Sequence, residues 1–375
     1  MAHPLESSTL AVYSELSSLL AQQEAVRSFA LLRGSFVEKT VRGRPYLYFQ
    51  FVDPVGRQRQ VYIGASDSAV AQEMRATYEA GRGDPSAHST LPAIERLARQ
   101  LHAAGLPTID PLQFKVIARL ADFGLFRAGS LLIGTHAFNA LAPSLGVTWN
   151  QFGRTSDVDF ATSETIAMVA PERPKLDVRS ELDALKMGFF PIPSLSLTKP
   201  STSFKAGRTS LQIDFLTPET SGSGHRVLEM QGLGIYAESL LYLDYLLEGI
   251  ARLPVIGQSN AVLANIPDPG RFAVHKLITA DCRGPGFRDK ALKDLAQARE
   301  MLDVLLELHP GILRDALDAL LDYRQAYIKH FKGGLSRLKK QRPDLVHDVL
   351  SQVEALSAAR QNAAPTGLQG SPAKP

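Results

Sequence analysis

Leu131-Leu132-Ile133-Gly134-Thr135-His136-Ala137-Phe138 and, downstream, Arg154-Thr155-Ser156-Asp157-Val158-Asp159-Phe160 decide how the chain is read. The first run is a short apolar strand that a glycine turns into a helix. In the second, residues i and i+2 of a strand share one face. Asp157 and Asp159 therefore project together while Val158 and Phe160 face the core. A further strand-like run, Leu211-Gln212-Ile213-Asp214-Phe215-Leu216, sets one more aspartate in an apolar frame. Carboxylates converging from neighbouring strands are not buried bare, because an uncompensated buried charge is costly. A pair of divalent cations resolves that cost, and hard oxygen ligands suit Mg²⁺ or Mn²⁺. Asp157, Asp159 and Asp214 are accordingly the expected metal ligands and catalytic carboxylates.

The remainder of the chain frames this centre. Its 375 residues suffice for two or three domains, and its 41 basic against 38 acidic residues leave a net charge of only +3. Any nucleic-acid contact must then come from a local patch. A single cysteine, Cys282, excludes an internal disulfide framework and a cysteine-based zinc cluster, and fits a reducing compartment. No signal peptide or membrane-spanning run is evident, so the expectation is a cytoplasmic protein with no membrane partner.

Residues 6–32 carry apolar positions at helical spacing. A three-stranded sheet is expected over 36–64, with turns at Arg42–Pro45 and Asp53–Gly56. Lys39, Arg42, Arg44, Arg57 and Arg59 lie near those turns among Tyr46, Tyr48 and Tyr62. Basic and aromatic residues on a sheet suit nucleic acid, through phosphate contacts and base stacking; a solvated hairpin packed on helices is weighed ahead of it. Residues 67–104 read as helical with an interruption at 81–85. Asp110-Pro111 starts a helix that ends before Gly124. Residues 162–185 read as mixed. Strands are expected from Met187 to Phe215, an apolar helix over 237–248, two short strands, and amphipathic helices over 288–308, 310–333 and 343–360. The composition after Ala363 points to a disordered tail. The domains expected are 1–105, a core at 106–220, a mainly helical region at 221–360, and a tail at 361–375.

Strand, Gly-Thr, helix, Asp-x-Asp strand and a distal Asp strand, in that order, resemble the nucleotidyltransferase superfamily of the polymerase β type. The phrases Gly134–Phe138, Asp157–Phe160, Arg271-Phe272-Ala273-Val274-His275-Lys276-Leu277 and Lys290–Ala298 look like a family of bacterial nucleotidyltransferase-fold proteins of undefined substrate. The likeness covers roughly residues 110–310. It implies an α+β fold: a mixed-sheet nucleotidyltransferase core, preceded by the helix and three-stranded-sheet region and followed by a helical domain that closes over the nucleotide.

It further implies an NTP substrate, ATP among the candidates, bound by Gly134, Thr135, Arg154, Thr155, Ser156 and Lys276. Asp157, Asp159 and Asp214 would hold two metal ions. Thr135 stands where Ser or Gly is commoner, and the interval from Thr135 to Asp157 is longer than in compact versions of the fold.

An isolated Asp-x-Asp is weak, and gains weight from its apolar flanks and from Asp214. His136 and His275 read as packed histidines. Lys276 suits solvent as well as a phosphate, and Lys290, Lys293 and Asp294 read as a solvated or ion-paired helix face. The expected function is metal-dependent transfer of an NMP from an NTP to RNA, protein or a small molecule. The alternatives are a nucleic-acid- or protein-binding module on a transferase scaffold, and a hydrolase that uses the same carboxylates with water as acceptor.

Overall fold

The computed structural model describes residues 2–30, 34–41, 43–52, 58–82, 90–150, 155–163, 177–193, 200–207, 209–219, 226–230 and 232–363. Arg42, Arg57, Arg154, much of the expected 81–85 interruption and the tail from residue 364 lie outside them.

In chain order the strand β1 (His3–Pro4) precedes the helix α1 (Ser7–Ala30). A meander follows, of β2 (Gly34–Val41), β3 (Arg44–Val52) and β4 (Gln58–Ala65), and then α2 (Ala69–Arg82), α3 (Leu91–Ala103) and α4 (Pro111–Phe123). The central part comprises β5 (Leu131–Leu132), α5 (Gly134–Ser144), β6 (Val147–Thr148), β7 (Asp157–Ala161), α6 (Val178–Ala184), β8 (Phe189–Pro191), β9 (Ser203–Ala206) and β10 (Gln212–Pro218). After it come β11 (Val227–Met230), β12 (Ile235–Leu240), α7 (Leu243–Leu247), and the hairpin β13 (Ile250–Ile256) and β14 (Ala261–Pro267). The chain closes with α8 (Pro269–Cys282), α9 (Arg288–Leu308), α10 (Pro310–Leu320), α11 (Gln325–Leu338) and α12 (Pro343–Ala363).

The sheet that matters runs β11-β12-β10-β7-β5, with β9 alongside the start of β10 and β8 on β9. It is mixed: β7 and β10 are parallel, β5 and β7 antiparallel. Alternation drives it. Along β10, Ile213, Phe215 and Thr217 are buried while Gln212, Asp214 and Leu216 are half-buried, so one face is core and the other is open to a ligand. Phe160 stacks on Phe215 across the two strands, with ring centroids 5.7 Å apart.

Local signals set the helices that support this sheet. Asp110 and Pro111 open α4 and a left-handed Gly124 closes it. The Asp268 carboxylate accepts from the Arg271 N–H at 2.9 Å and Pro269 occupies the first turn, which fixes the start of α8. Helix α8 is enclosed by α9, α10 and α11, and a Cβ at Gly334 would overlap the Leu277 carbonyl group, so glycine lets α11 lie against α8.

Two cores result. The larger joins the sheet to the C-terminal helices. The smaller contains Leu16 and Leu20 of α1, Leu97 and Leu101 of α3, and Ile256 and Ala261 of the β13–β14 hairpin.

Two expectations are corrected. Residues 237–248 are not one helix: β12 alternates buried and exposed side chains, Tyr242 takes a left-handed φ of 66°, and only Leu243–Leu247 is helical. The 310–333 helix is two helices, α10 and α11, separated around Leu321–Arg324. β12 joins the same sheet, pairing in parallel with β10 through Leu216↔Glu238 to Pro218↔Leu240. A further helix, α6, lies within the stretch read as mixed.

Candidate active site

The parallel register of β7 and β10 sets Asp159 opposite Asp214 and Asp157 opposite Gln212. All four side chains occupy the half-buried face, while Val158 and Phe160 are fully buried beneath them. The three expected carboxylates are therefore brought to one place by a single strand pair.

Helix α5 begins at the same spot. Ile133 donates its N–H to the Asp159 carbonyl oxygen at 3.0 Å, which ends β5 against β7. Gly134 then adopts φ +67°, and a Cβ there would strike the Asp159 carboxylate. Glycine is required twice over: for the left-handed backbone and for the close approach of the carboxylate.

The segment leading into β7 is held in place. The buried Gln113 of α4 donates its side-chain amide to the Thr155 carbonyl oxygen. The Thr155 hydroxyl accepts from the Asp157 N–H at 3.1 Å, and the Ser156 hydroxyl donates to Asp157 Oδ1 at 3.1 Å. Thr155 and Ser156 thus position Asp157. Asp214 is fixed similarly, its two oxygens accepting from Gln212 Nε2 at 2.8 and 3.1 Å.

Burial together with the Asp214 and Asp157 charges pushes the Asp159 carboxyl up to about 7; Lys276 and Lys290 pull the other way. The cluster is short of positive charge. That charge deficit and the all-oxygen donor set fit a divalent cation. Among the described residues no group of three or more His, Cys, Asp or Glu side chains is placed so as to hold a metal ion by itself. An open site of one or two carboxylates completed by water and substrate phosphates is the way Mg²⁺ is commonly held.

The opposing wall comes from α8 and α9. Lys276 Nζ lies 2.7 Å from Asp294 Oδ1 and Arg283 Nε 2.6 Å from Asp294 Oδ2. Burial disfavours the Asp294 charge, but Lys276 and Arg283 outweigh it and keep the carboxyl below its usual value. Lys276 is thus an ion-paired side chain that also bears on Asp159. Lys290 and Lys293 are exposed, as expected of a solvated face. Their field nonetheless reaches the carboxylates: Lys290 acts on Asp159, and Lys293, lowered by burial and by Lys276, is supported by Asp294, Asp159 and Asp157.

His136 is buried and its ring nitrogens make no well-formed hydrogen bond. Burial and then Lys293 lower it to about 4, so the ring is neutral at pH 7. His275, lowered to about 3 by burial and then by Lys276, is neutral as well. Thr135 is buried within the first turn of α5.

Sequence reasoning passed over Gln113 and Gln212. Gln212 had a legible signal, its position two residues before Asp214 on the same strand face; Gln113 had none.

A family model described as Nucleotidyltransferase matches residues 112–322. The chain belongs to this nucleotidyltransferase family. The matched span runs from α4 to the end of α10 and contains every candidate residue above; the three-stranded sheet and α12 lie outside it. No curated protein and no solved structure gives a significant match. The family match supports transfer of nucleotidyl groups as the chain's activity. Among the described residues no helix is long and apolar enough to cross a membrane.

Proposed function

We propose that this nucleotidyltransferase moves an NMP from an NTP to a hydroxyl or phosphate acceptor, at the face shared by β7, β10 and the start of α5. The observation that carries the reading is the register of Asp159 against Asp214, with Gly134 packed directly on the Asp159 carboxylate.

Asp157, Asp159 and Asp214 would hold Mg²⁺ or Mn²⁺, which when bound neutralises triphosphate charge and polarises the reacting phosphoryl group. The chain's own groups do the rest. The N–H groups at the start of α5 face the triphosphate, a disposition that favours anions. Lys276, Lys290 and Lys293 line the opposite wall and offset negative charge as it shifts toward the leaving group. The acceptor oxygen attacks the α-phosphorus, the bond from that phosphorus to the bridging oxygen breaks, and pyrophosphate leaves. Asp214, held in one orientation by Gln212, takes the acceptor's proton.

Incubation with each α-³²P-labelled NTP, Mg²⁺ or Mn²⁺ and cell extract tests the reading. Label is expected in an acceptor with wild type and not with Asp157→Ala/Asp159→Ala. Equal labelling by both would refute the assignment, and free NMP without labelled acceptor would indicate hydrolysis.

A further inference from the structure

The meander β2-β3-β4 has two unlike faces. On one, Phe36 and Phe49 meet Tyr78 of α2 edge-on, at centroid distances of 5.4 and 5.3 Å, and this face is the sheet's internal packing. The other presents Lys39 of β2, Tyr46, Tyr48 and Gln50 of β3, and Gln60 and Tyr62 of β4, which the register places on one side. Tyr62 is 55% exposed although it is a large aromatic residue.

The arrangement of that face is specific. Tyr62 meets Tyr48 at 5.5 Å and 64°, and Tyr46 at 6.0 Å and 52°. These tilted contacts hold the three rings together, with Tyr62 the most exposed of them. Lys39 Nζ lies 5.3 Å from the Tyr48 ring centroid and donates to Gln60, whose amide donates to Gln50 at 2.6 Å. A cation and two amides thus form a continuous polar line across three strands beside a cluster of three tyrosines.

Charge selects the occupant. Residues 34–65 contain Lys39, Arg42, Arg44, Arg57 and Arg59 against Glu38 and Asp53, an excess that equals the +3 of the entire chain. Among the described residues the tyrosine face itself carries the exposed Lys39 and Arg44 and no acidic side chain. A polyanion carrying flat apolar groups satisfies such a surface. We propose that the exposed face of β2-β3-β4 binds single-stranded nucleic acid, with bases stacked on Tyr46, Tyr48 and Tyr62 and phosphates met by Lys39 and Arg44. This binding requires neither NTP nor the carboxylates, and stands whether or not the transferase reading does.

Fluorescence anisotropy of the full-length protein with a labelled single-stranded oligonucleotide, as RNA and as DNA and without NTP or metal, tests the proposal. Tyr62→Ala is expected to weaken binding about 10-fold, the scale of one lost stacked base, and Tyr62→Phe to retain it. Lys39→Gln is expected to flatten the dependence of log Kd on log salt by about 0.7, one phosphate contact on a single strand. The RNA and DNA arms show which strand is preferred. Absence of binding to either at low salt overturns the proposal, as does binding indifferent to Tyr62→Ala and Lys39→Gln in variants whose circular dichroism matches wild type.

Discussion

Gly134 and Asp159 are the residues on which the site turns. An alanine at position 134 would meet about 1–2 kcal/mol of left-handed backbone strain as well as the Asp159 carboxylate in its path. Gly134→Ala is therefore expected to lower thermal stability and to abolish nucleotidyl transfer together, as differential scanning calorimetry beside the labelling assay would show. Asp159 adds a pH dependence. Its folded pKa of about 7 lies above the ordinary 3.8, so the folded protein holds its proton more tightly than the unfolded chain. Its contribution to stability is present in full below pH 4 and is lost as pH rises toward and through 7. In metal-free protein Asp159→Asn should remove that part of the decline in Tm, and divalent cation should stabilise wild type more at pH 8 than at pH 6. At this scale the sequence was informative about Asp157, Asp159, Asp214 and Gly134, because strand periodicity and glycine chemistry are local. It did not reveal that Thr155 and Ser156 serve Asp157, which depends on the turn their hydroxyls make.

At the scale of elements, the strand pair β7–β10 and the helix pair α8–α9 form the two walls of the site. The second pair is joined through Asp294, whose side chain is 5% exposed and bonded to both Lys276 and Arg283. Asp294→Ala would strand two cations and is expected to cost about 3 kcal/mol, measurable by urea unfolding; Asp294→Asn, which keeps hydrogen-bonding capacity, should cost less. The alternating strands 36–64 and 187–215 and the capped helices beginning at Pro111 and Pro269 were readable from pattern and cap chemistry. Residues 237–248 were not. An apolar run such as Ala237–Leu247 satisfies helix and buried-strand periodicities alike, and the choice was made by pairing of Leu216–Pro218 with Glu238–Leu240 and by the left-handed turn at Tyr242.

Across the whole molecule, a sheet and its helical partners enclose the carboxylates, while α1, α3 and the β13–β14 hairpin form a second core beside them. The order of parts along the chain was enough to indicate the nucleotidyltransferase family. That α9 also bears on the carboxylates was not legible, since Lys290 and Lys293 reach them only through the packing of α9 on α8. Nor did composition reveal that Lys39 and Arg44 share one face of a small sheet with three tyrosines. Asp157, Asp159 and Asp214 are proposed to form a metal–nucleotide site. Calorimetric titration of an NTP carrying a non-hydrolysable α,β-methylene bridge, with and without Mn²⁺, tests it most directly. Metal-dependent binding is expected, falling at least ~10-fold in Asp157→Asn and in Asp214→Asn, the scale of one charge-assisted contact. Binding of equal strength in wild type and both variants, or binding that ignores Mn²⁺, would contradict it.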